Sequence, residues 1–467
     1  MTPSARDTAT NGDGNSAKPD RRAVVGLTAV TVMQVLDLSM VRVAIPSIRS
    51  AFDARADMAA WIATSYILPY AVLTSLYGWM GDELGRRRLL LASVIISSVG
   101  ACLSGLVPSL PLLIVGRLVQ GMGAAGIFPL AMAMVSELFP ANQRGRALGI
   151  WNSITGFTSV LGTLVAGPLV QELGWRSIFA VVMLVSILAI VLLRRLAPTP
   201  QDKAPLSALR NFDWGGVVLL GMAVTSFLIY LSSEPITGVP PLRDWRALVT
   251  TVLVFAGFIL WERRSAHPFV SAGTFNHGGF GQASCGAGLR EYVMGSLAFL
   301  MPLYLTDIRG LSAAPTGLLL TIQACALLAT MQLGGRLADR LGSRRPAALG
   351  MALQAGGMVY LALLPSTAPL GMVISGMVAH GFSAGLALAA LQAAAMRHVP
   401  RASLGAAAGV YRMIGVSGMV FGTTLSGAIL QQGLNRTAAP VGAYHSVFWV
   451  IALAAFMSAA VGATLRG

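Results

Sequence analysis

Apolar residues along this chain neither alternate with polar ones at the two-residue period of a strand nor form the narrow stripe of a soluble helix. They run on in long blocks rich in Leu, Ala, Gly and Val, broken by short charged stretches. Fourteen blocks reach the length of about 20 residues needed to cross a bilayer. They lie at approximately 23 to 46, 59 to 80, 89 to 107, 111 to 135, 146 to 170, 177 to 193, 214 to 233, 246 to 262, 280 to 306, 313 to 335, 346 to 364, 369 to 395, 403 to 431 and 446 to 465. A spanning segment must satisfy its own backbone hydrogen bonds, and these blocks lack the alternation of a barrel strand, so each is predicted to be a helix. The expectation is an all-α polytopic membrane protein with 14 transmembrane helices.

Composition agrees. Hydrophobic residues make up 55% of the chain, charged residues 11%, and the mean hydropathy is +0.71, whereas soluble domains carry roughly 25% charge. The net charge of +15 reads as topology. With the first residue on the cytoplasmic side, inner segments hold 22 of the 33 basic residues and outer loops hold seven, which places both termini in the cytoplasm. The other four, Arg42, Arg117, Arg290 and Arg412, fall inside blocks. No basic stripe interleaved with aromatics suggests nucleic acid. Trp61, Trp79, Trp175, Trp214, Trp245, Trp261 and Trp449 sit near block ends, where amphipathic rings favour the interface.

Residues 1–22 are polar, lack the apolar core of a signal peptide, and are expected to be a disordered cytoplasmic tail. Cys102, Cys285 and Cys325 lie within blocks, and the five histidines are scattered, so neither a disulfide framework nor a metal or cofactor site is indicated. No Ser, His and Asp arrangement or phosphate-binding loop suggests an enzyme.

The chain repeats itself. GWMGDELGRRR, from Gly78 to Arg88, recurs 257 residues later as GRLADRLGSRR, from Gly335 to Arg345. Pro140, Gly145, Ala147 and Gly149 recur 260 residues later as Pro400, Gly405, Ala407 and Gly409, and Gly116 and Gly121 as Gly376 and Gly381. The expected organisation is an N-terminal six-helix bundle over 23–195, a linker and two-helix insert over 196–270, and a C-terminal six-helix bundle over 271–467. Parallel repeats of this kind hold a substrate near the midplane between them.

Asp37 is the most informative single residue, because a carboxylate inside the apolar run TVMQVLDLSMVRVAIP costs several kcal/mol unless it faces a partner or an aqueous path. It either serves a transport cavity or stabilises a helix break. Arg117 needs a compensating carboxylate, carbonyl or water for the same reason. Glu291 is the other acidic group well inside a block, and Arg290 beside it is expected to point elsewhere, since adjacent helical residues do not face each other. Gln34, Gln120, Asn152, Arg290, His380 and Arg412 are the polar positions expected to line a substrate cavity, with interhelical hydrogen bonding as the alternative.

These segments resemble the major facilitator superfamily. GWMGDELGRRRLLL is similar to its loop motif between helices two and three. VLDLSMVRVAIP, GRLVQGMGAA and LGWRSIF resemble first-, fourth- and fifth-helix motifs of its fourteen-helix drug and proton antiporter branch, and FDWGG and WERRSAHPFV its two-helix insert. The resemblance implies proton coupling through Asp37 and Arg117; Glu291 is a second candidate by its position inside a block. It also implies a cytoplasmic gate at Gly78, Asp82, Gly85, Arg86 and Arg87, repeated at Asp339, Arg340 and Gly342, that holds an outward-facing state. Two positions depart from the pattern. Arg42 stands where the first-helix motif has Asn, and Gly162 and Thr163 stand where the fifth-helix motif has Gly-Pro, which recurs only at Gly167 and Pro168.

Four arginines against two acids within the blocks disfavour lipophilic cations. The function expected is a secondary transporter that uses protons for efflux of neutral, zwitterionic or anionic small molecules, with no obligate protein partner evident; the alternatives are uptake of a vitamin such as riboflavin, and a non-transporting membrane receptor.

Overall fold

A computed structural model describes residues 21–139, 144–196, 213–240, 243–265, 279–397, 399, 404–436 and 440–465. These form fifteen helices and, among the described residues, no strand. The first six are α1 (Arg21–Ala51), α2 (Ala56–Leu84), α3 (Arg86–Leu106), α4 (Leu110–Leu138), α5 (Arg144–Leu173) and α6 (Arg176–Leu196). Next come α7 (Trp214–Leu231), the single turn α8 (Glu234–Thr237) and α9 (Trp245–Arg264). The last six are α10 (Phe280–Asp307), α11 (Ala313–Leu341), α12 (Arg344–Leu363), α13 (Leu370–Met396), α14 (Leu404–Arg436) and α15 (Pro440–Thr464).

Every block predicted from hydropathy coincides with one helix, and only α8 was not foreseen. Thirteen of the helices are long and apolar enough to cross a membrane. The exception of comparable length is α10, 28 residues long with Arg290 and Glu291 in its middle. Several helices outrun their apolar blocks, because backbone hydrogen bonding continues past the hydrocarbon that hydropathy measures. Thus α2 and α11 run on to Leu84 and Leu341 and end at glycines with φ of +93° and +78°, Gly85 and Gly342, a left-handed turn that other residues resist. Helix α1 starts at Arg21, so the last two residues assigned to the polar tail are helical; the rest of that tail and most of the 196–213 linker lie outside the described residues.

The repeat is visible in which helices touch. In the first set α1 packs on α5 and α6, α2 on α4, and α3 on α4 and α6; in the second, α10 packs on α14 and α15, α11 on α13, and α12 on α13 and α15. The matched glycines explain the equivalence. A side chain at Gly121 of α4 would strike the Tyr66 carbonyl of α2, and one at Gly381 of α13 would strike the Gln323 carbonyl of α11. Close backbone approach of this kind is how helices associate where water cannot drive them together.

The two sets meet through α2 with α14, α5 with α11 and α1 with α10. Call the face where α1 begins and α15 ends proximal, and the other distal. Contacts between the sets cluster from the middle to the distal face. There Arg49 pairs with Asp307 at 2.5 Å, Gln431 accepts from the Ala56 N–H at 2.7 Å, and Ser312 donates to Gln171 at 2.9 Å. Nearer the middle, the Thr64 and Thr424 hydroxyls are 3.0 Å apart. Helices α7 and α9 pack on each other, and α7 leans on both α2 and α14. The Trp61 indole donates to Ser232 at 2.9 Å, and the Phe227 and Phe421 rings stand edge to face at 5.0 Å.

Candidate functional site: a buried ion pair between α1 and α4

Helices α1 and α4 run antiparallel, and their polar residues fall on facing sides. Gln34 and Asp37 are one turn apart on α1, as are Arg117 and Gln120 on α4, spacings that put each pair on one helix face. Asp37 and Arg117 are 1% and 0% exposed. Nη1 of Arg117 donates to Asp37 Oδ2 at 2.8 Å, to Asp37 Oδ1 at 3.0 Å and to Gln120 Oε1 at 2.7 Å. Its Nε donates to the Ile62 carbonyl of α2 at 3.3 Å, and the guanidinium lies 4.2 Å from the Tyr66 ring centre. Nη2 has no hydrogen-bond acceptor. One turn toward the proximal face, Gln34 donates to the Ala124 carbonyl at 3.2 Å while its Oε1 is buried without a donor. Charges buried this deeply survive only when paired.

The rest of the predicted set divides. Gln34, Gln120, Arg290 and His380 are buried within helix packing. His380, 0% exposed, has both ring nitrogens unpartnered, and nearby Gln354 of α12 is as buried and as unpartnered. The reason is rotational: the Gly376 and Gly381 contacts turn that side of α13 into its neighbours α12 and α11. Asn152 and Arg412 are exposed, and the Arg412 guanidinium lies 5.8 Å from the Phe128 ring, linking α14 to α4.

One expectation is overturned. Arg290 does not point away from Glu291: its Nη2 forms an ion pair with Glu291 Oε1, while Nη1 donates to the Ala384 carbonyl at 3.3 Å. The rule that neighbours on a helix diverge holds at Cβ, but a guanidinium on three methylenes folds back around the helix to reach a carboxylate when no other is near.

At the expected gate, Arg86 pairs with Glu137 of α4 and Arg87 donates to the Arg194 carbonyl at the end of α6 at 2.8 Å. In the second copy Arg344, the repeat partner of Arg87, donates to the Ala463 carbonyl at the end of α15 at 3.0 Å. Sequence reasoning missed Arg344, although the 257-residue offset pointed to it. Asp339, Arg340 and Gly342 are exposed, Gly78 and Gly85 have open space around them, and the Asp82 side chain lies outside the described residues. These gate residues bond within their own helix sets.

An all-helical membrane fold, internally duplicated and with a charge pair sealed between two helices, defines a polytopic transporter. The chain belongs to the Major Facilitator Superfamily, whose family model matches residues 27–280 and 283–467. It is similar to the multidrug resistance protein Stp of Mycobacterium tuberculosis, 29% identical over 87% of this chain and 75% of that protein. The tetracenomycin C resistance and export protein of Streptomyces glaucescens is 27% identical over 86% and 74%. The riboflavin transporter RibZ of Clostridioides difficile is 24% identical over 91% and 93%. These relatives support the likeness to drug and proton antiporters. Among solved structures, a bacterial homolog of the human lysosomal transporter Spinster shares the fold with a TM-score of 0.69 at 16% identity, covering 96% of this chain and 97% of that one.

Proposed function

We propose that this protein exports small organic molecules across the cytoplasmic membrane by alternating access, driven by protons that bind at Asp37. The observation that carries the reading is the Asp37–Arg117 pair, sealed from water between α1 and α4. A proton on Asp37 would cancel the charge that holds Arg117, and the guanidinium would turn to other acceptors, shifting α1 against α4. Glu291, paired with Arg290 on α10, is a second acid where the same exchange can take place.

In this reading α10 is the fourteenth span, α1–α6 and α10–α15 are the two six-helix bundles, and α7 and α9 are the insert. Both termini are cytoplasmic, so the proximal face is the inner one. The contacts across the distal face fit a state closed to the outside, and the gate at Gly78–Arg88 with its repeat would engage when the inner face closes. The excess of arginine in the spans favours neutral, zwitterionic or anionic cargo.

A second reading, in which riboflavin is carried inward, is favoured by RibZ, which this chain matches over 93% of its length. Accumulation of riboflavin and ethidium in cells with and without the protein, before and after the proton gradient is collapsed, separates the two. Lowered, gradient-dependent accumulation supports export, raised riboflavin supports uptake, and ethidium export would defeat the charge argument.

A further inference from the structure

Two arginines inside the bundle have no carboxylate partner. Arg117 is taken by Asp37 and Arg290 by Glu291, which leaves Arg42 and Arg412. Among the described residues Arg42 makes no hydrogen bond or ion pair, and the acid acting on it from a distance is Glu291, already paired. It lines a cavity of about 20 Å³ between the two helix sets, with Leu38 and Ile67 on one side and Gly295, Phe299 and Thr423 on the other. That volume holds about one water. The Thr423 hydroxyl donates to the Gly295 and Met419 carbonyls, and the remaining wall is apolar save Arg117. The wall therefore offers a cation with nothing to balance it.

The other guanidinium without an acid partner, Arg412, which meets the Tyr70 side chain and the Phe128 ring, stands at the opposite end of the path. Arg42 is nine residues from the distal end of α1 and Arg412 eight from the proximal end of α14, so at about 1.5 Å per residue each lies on the order of 12 Å inside its own face. Cargo crossing between the sets would pass one and then the other. Intramembrane charges without an internal partner mark ion or substrate paths.

We infer that Arg42 is the anion-recognising residue of this path and that the cargo carries a carboxylate or similar anionic group, which Arg412 meets at the proximal side. The inference rests on the transport reading above and narrows its substrate class. The cavity between the sets is the closed remnant of the place where the anionic group is held, and it widens when the distal contacts part.

The test is counterflow in proteoliposomes with two fluorescent probes, anionic carboxyfluorescein and neutral riboflavin, for the unchanged protein, Arg42→Gln and Arg42→Lys. The expected result is that the ratio of carboxyfluorescein to riboflavin transport falls about tenfold in Arg42→Gln, the scale of losing one hydrogen bond to a charged group, and recovers in part in Arg42→Lys. An unchanged ratio in Arg42→Gln overturns the inference. Fluorescence anisotropy of carboxyfluorescein with purified protein keeps the two readings apart. If neither probe moves, the transport reading fails, and the inference stands only if Arg42→Gln binds the anion about tenfold more weakly. If riboflavin moves but the unchanged protein neither moves nor binds carboxyfluorescein, transport stands and the inference falls.

Discussion

Asp37 and Arg117 meet at a single nitrogen: both carboxylate oxygens lie within 3.0 Å of Arg117 Nη1, which also donates to Gln120. Three acceptors compete for two N–H bonds, whereas the parallel fork that locks an arginine to a carboxylate would use two nitrogens. Nη2, which such a fork would engage, is left without an acceptor. The pair is thus held by burial more than by geometry, which fits the exchange proposed for it. Asp37→Asn is expected to insert and fold yet lose gradient-driven accumulation in proteoliposomes; full accumulation would remove Asp37 from the coupling step.

Removing only the cation has a different consequence. Arg117→Ala leaves Asp37 buried without its partner and is expected to lower stability by about 3–5 kcal/mol, while the Asp37→Ala, Arg117→Ala double variant recovers most of that loss. Thermal unfolding in detergent measures both, and a double variant no better than Arg117→Ala would show that packing, not charge, dominates.

The α2–α4 contact tolerates no side chain at Gly121. Gly121→Val drives methyl groups into the Tyr66 carbonyl and, from 2.8 Å, the Pro69 ring, and is expected to cost at least about 1–3 kcal/mol. Gly356 of α12 has nothing within 4 Å, so Gly356→Ala should be neutral or gain up to about 1 kcal/mol from helix propensity. Comparing their melting temperatures checks the claim.

At the distal face, Asp307 accepts from Arg49 at 2.5 Å and from the Tyr444 hydroxyl at 2.6 Å. The Arg49 and Asp307 side chains are 21% and 33% exposed, so the pair is worth no more than about 1 kcal/mol. Asp307→Asn is expected to raise the population open at that face by up to about fivefold. Labelling of a cysteine introduced on the distal side of Arg42 would report it.

Asp244 caps α9, accepting from the Arg246 and Ala247 N–H groups at 3.1 and 3.2 Å and from the Thr237 hydroxyl at 2.6 Å. The Thr237 hydroxyl, then the Ala247 N–H, hold its carboxyl below the usual range. A depressed value means stability that is fully present above the unfolded value of about 3.9 and is lost as pH falls through the folded one. Asp244→Ala should therefore melt lower than the unchanged protein at neutral pH, and the gap should narrow on acidification below about pH 4.

Sequence reasoning located the helices because hydropathy is a local sum, and it located the repeat because glycines at helix crossings cannot vary freely. It did not reveal which way each helix is turned. His380 matches Gln120 by offset, yet one ring is isolated in packing and the other side chain joins an ion pair. Arg290 was read from its neighbour's Cβ direction and folds back against it. Arg42, counted among the intramembrane arginines and noted as a departure from a motif, gained a specific role once the cavity wall beside it proved to hold no acid.

The amino-acid sequence by itself determined that this is a polytopic helical membrane protein, because the bilayer imposes its length and hydrogen-bonding demands on every segment separately, and its motifs carried the resemblance to the major facilitator superfamily. Only the tertiary structure decided which intramembrane charges cancel and which do not. Asp37 and Arg117 are 80 residues apart, and whether they touch depends on the rotation of two helices about their axes. That rotation is set by the packing of the neighbouring helices at once, and no single segment encodes it.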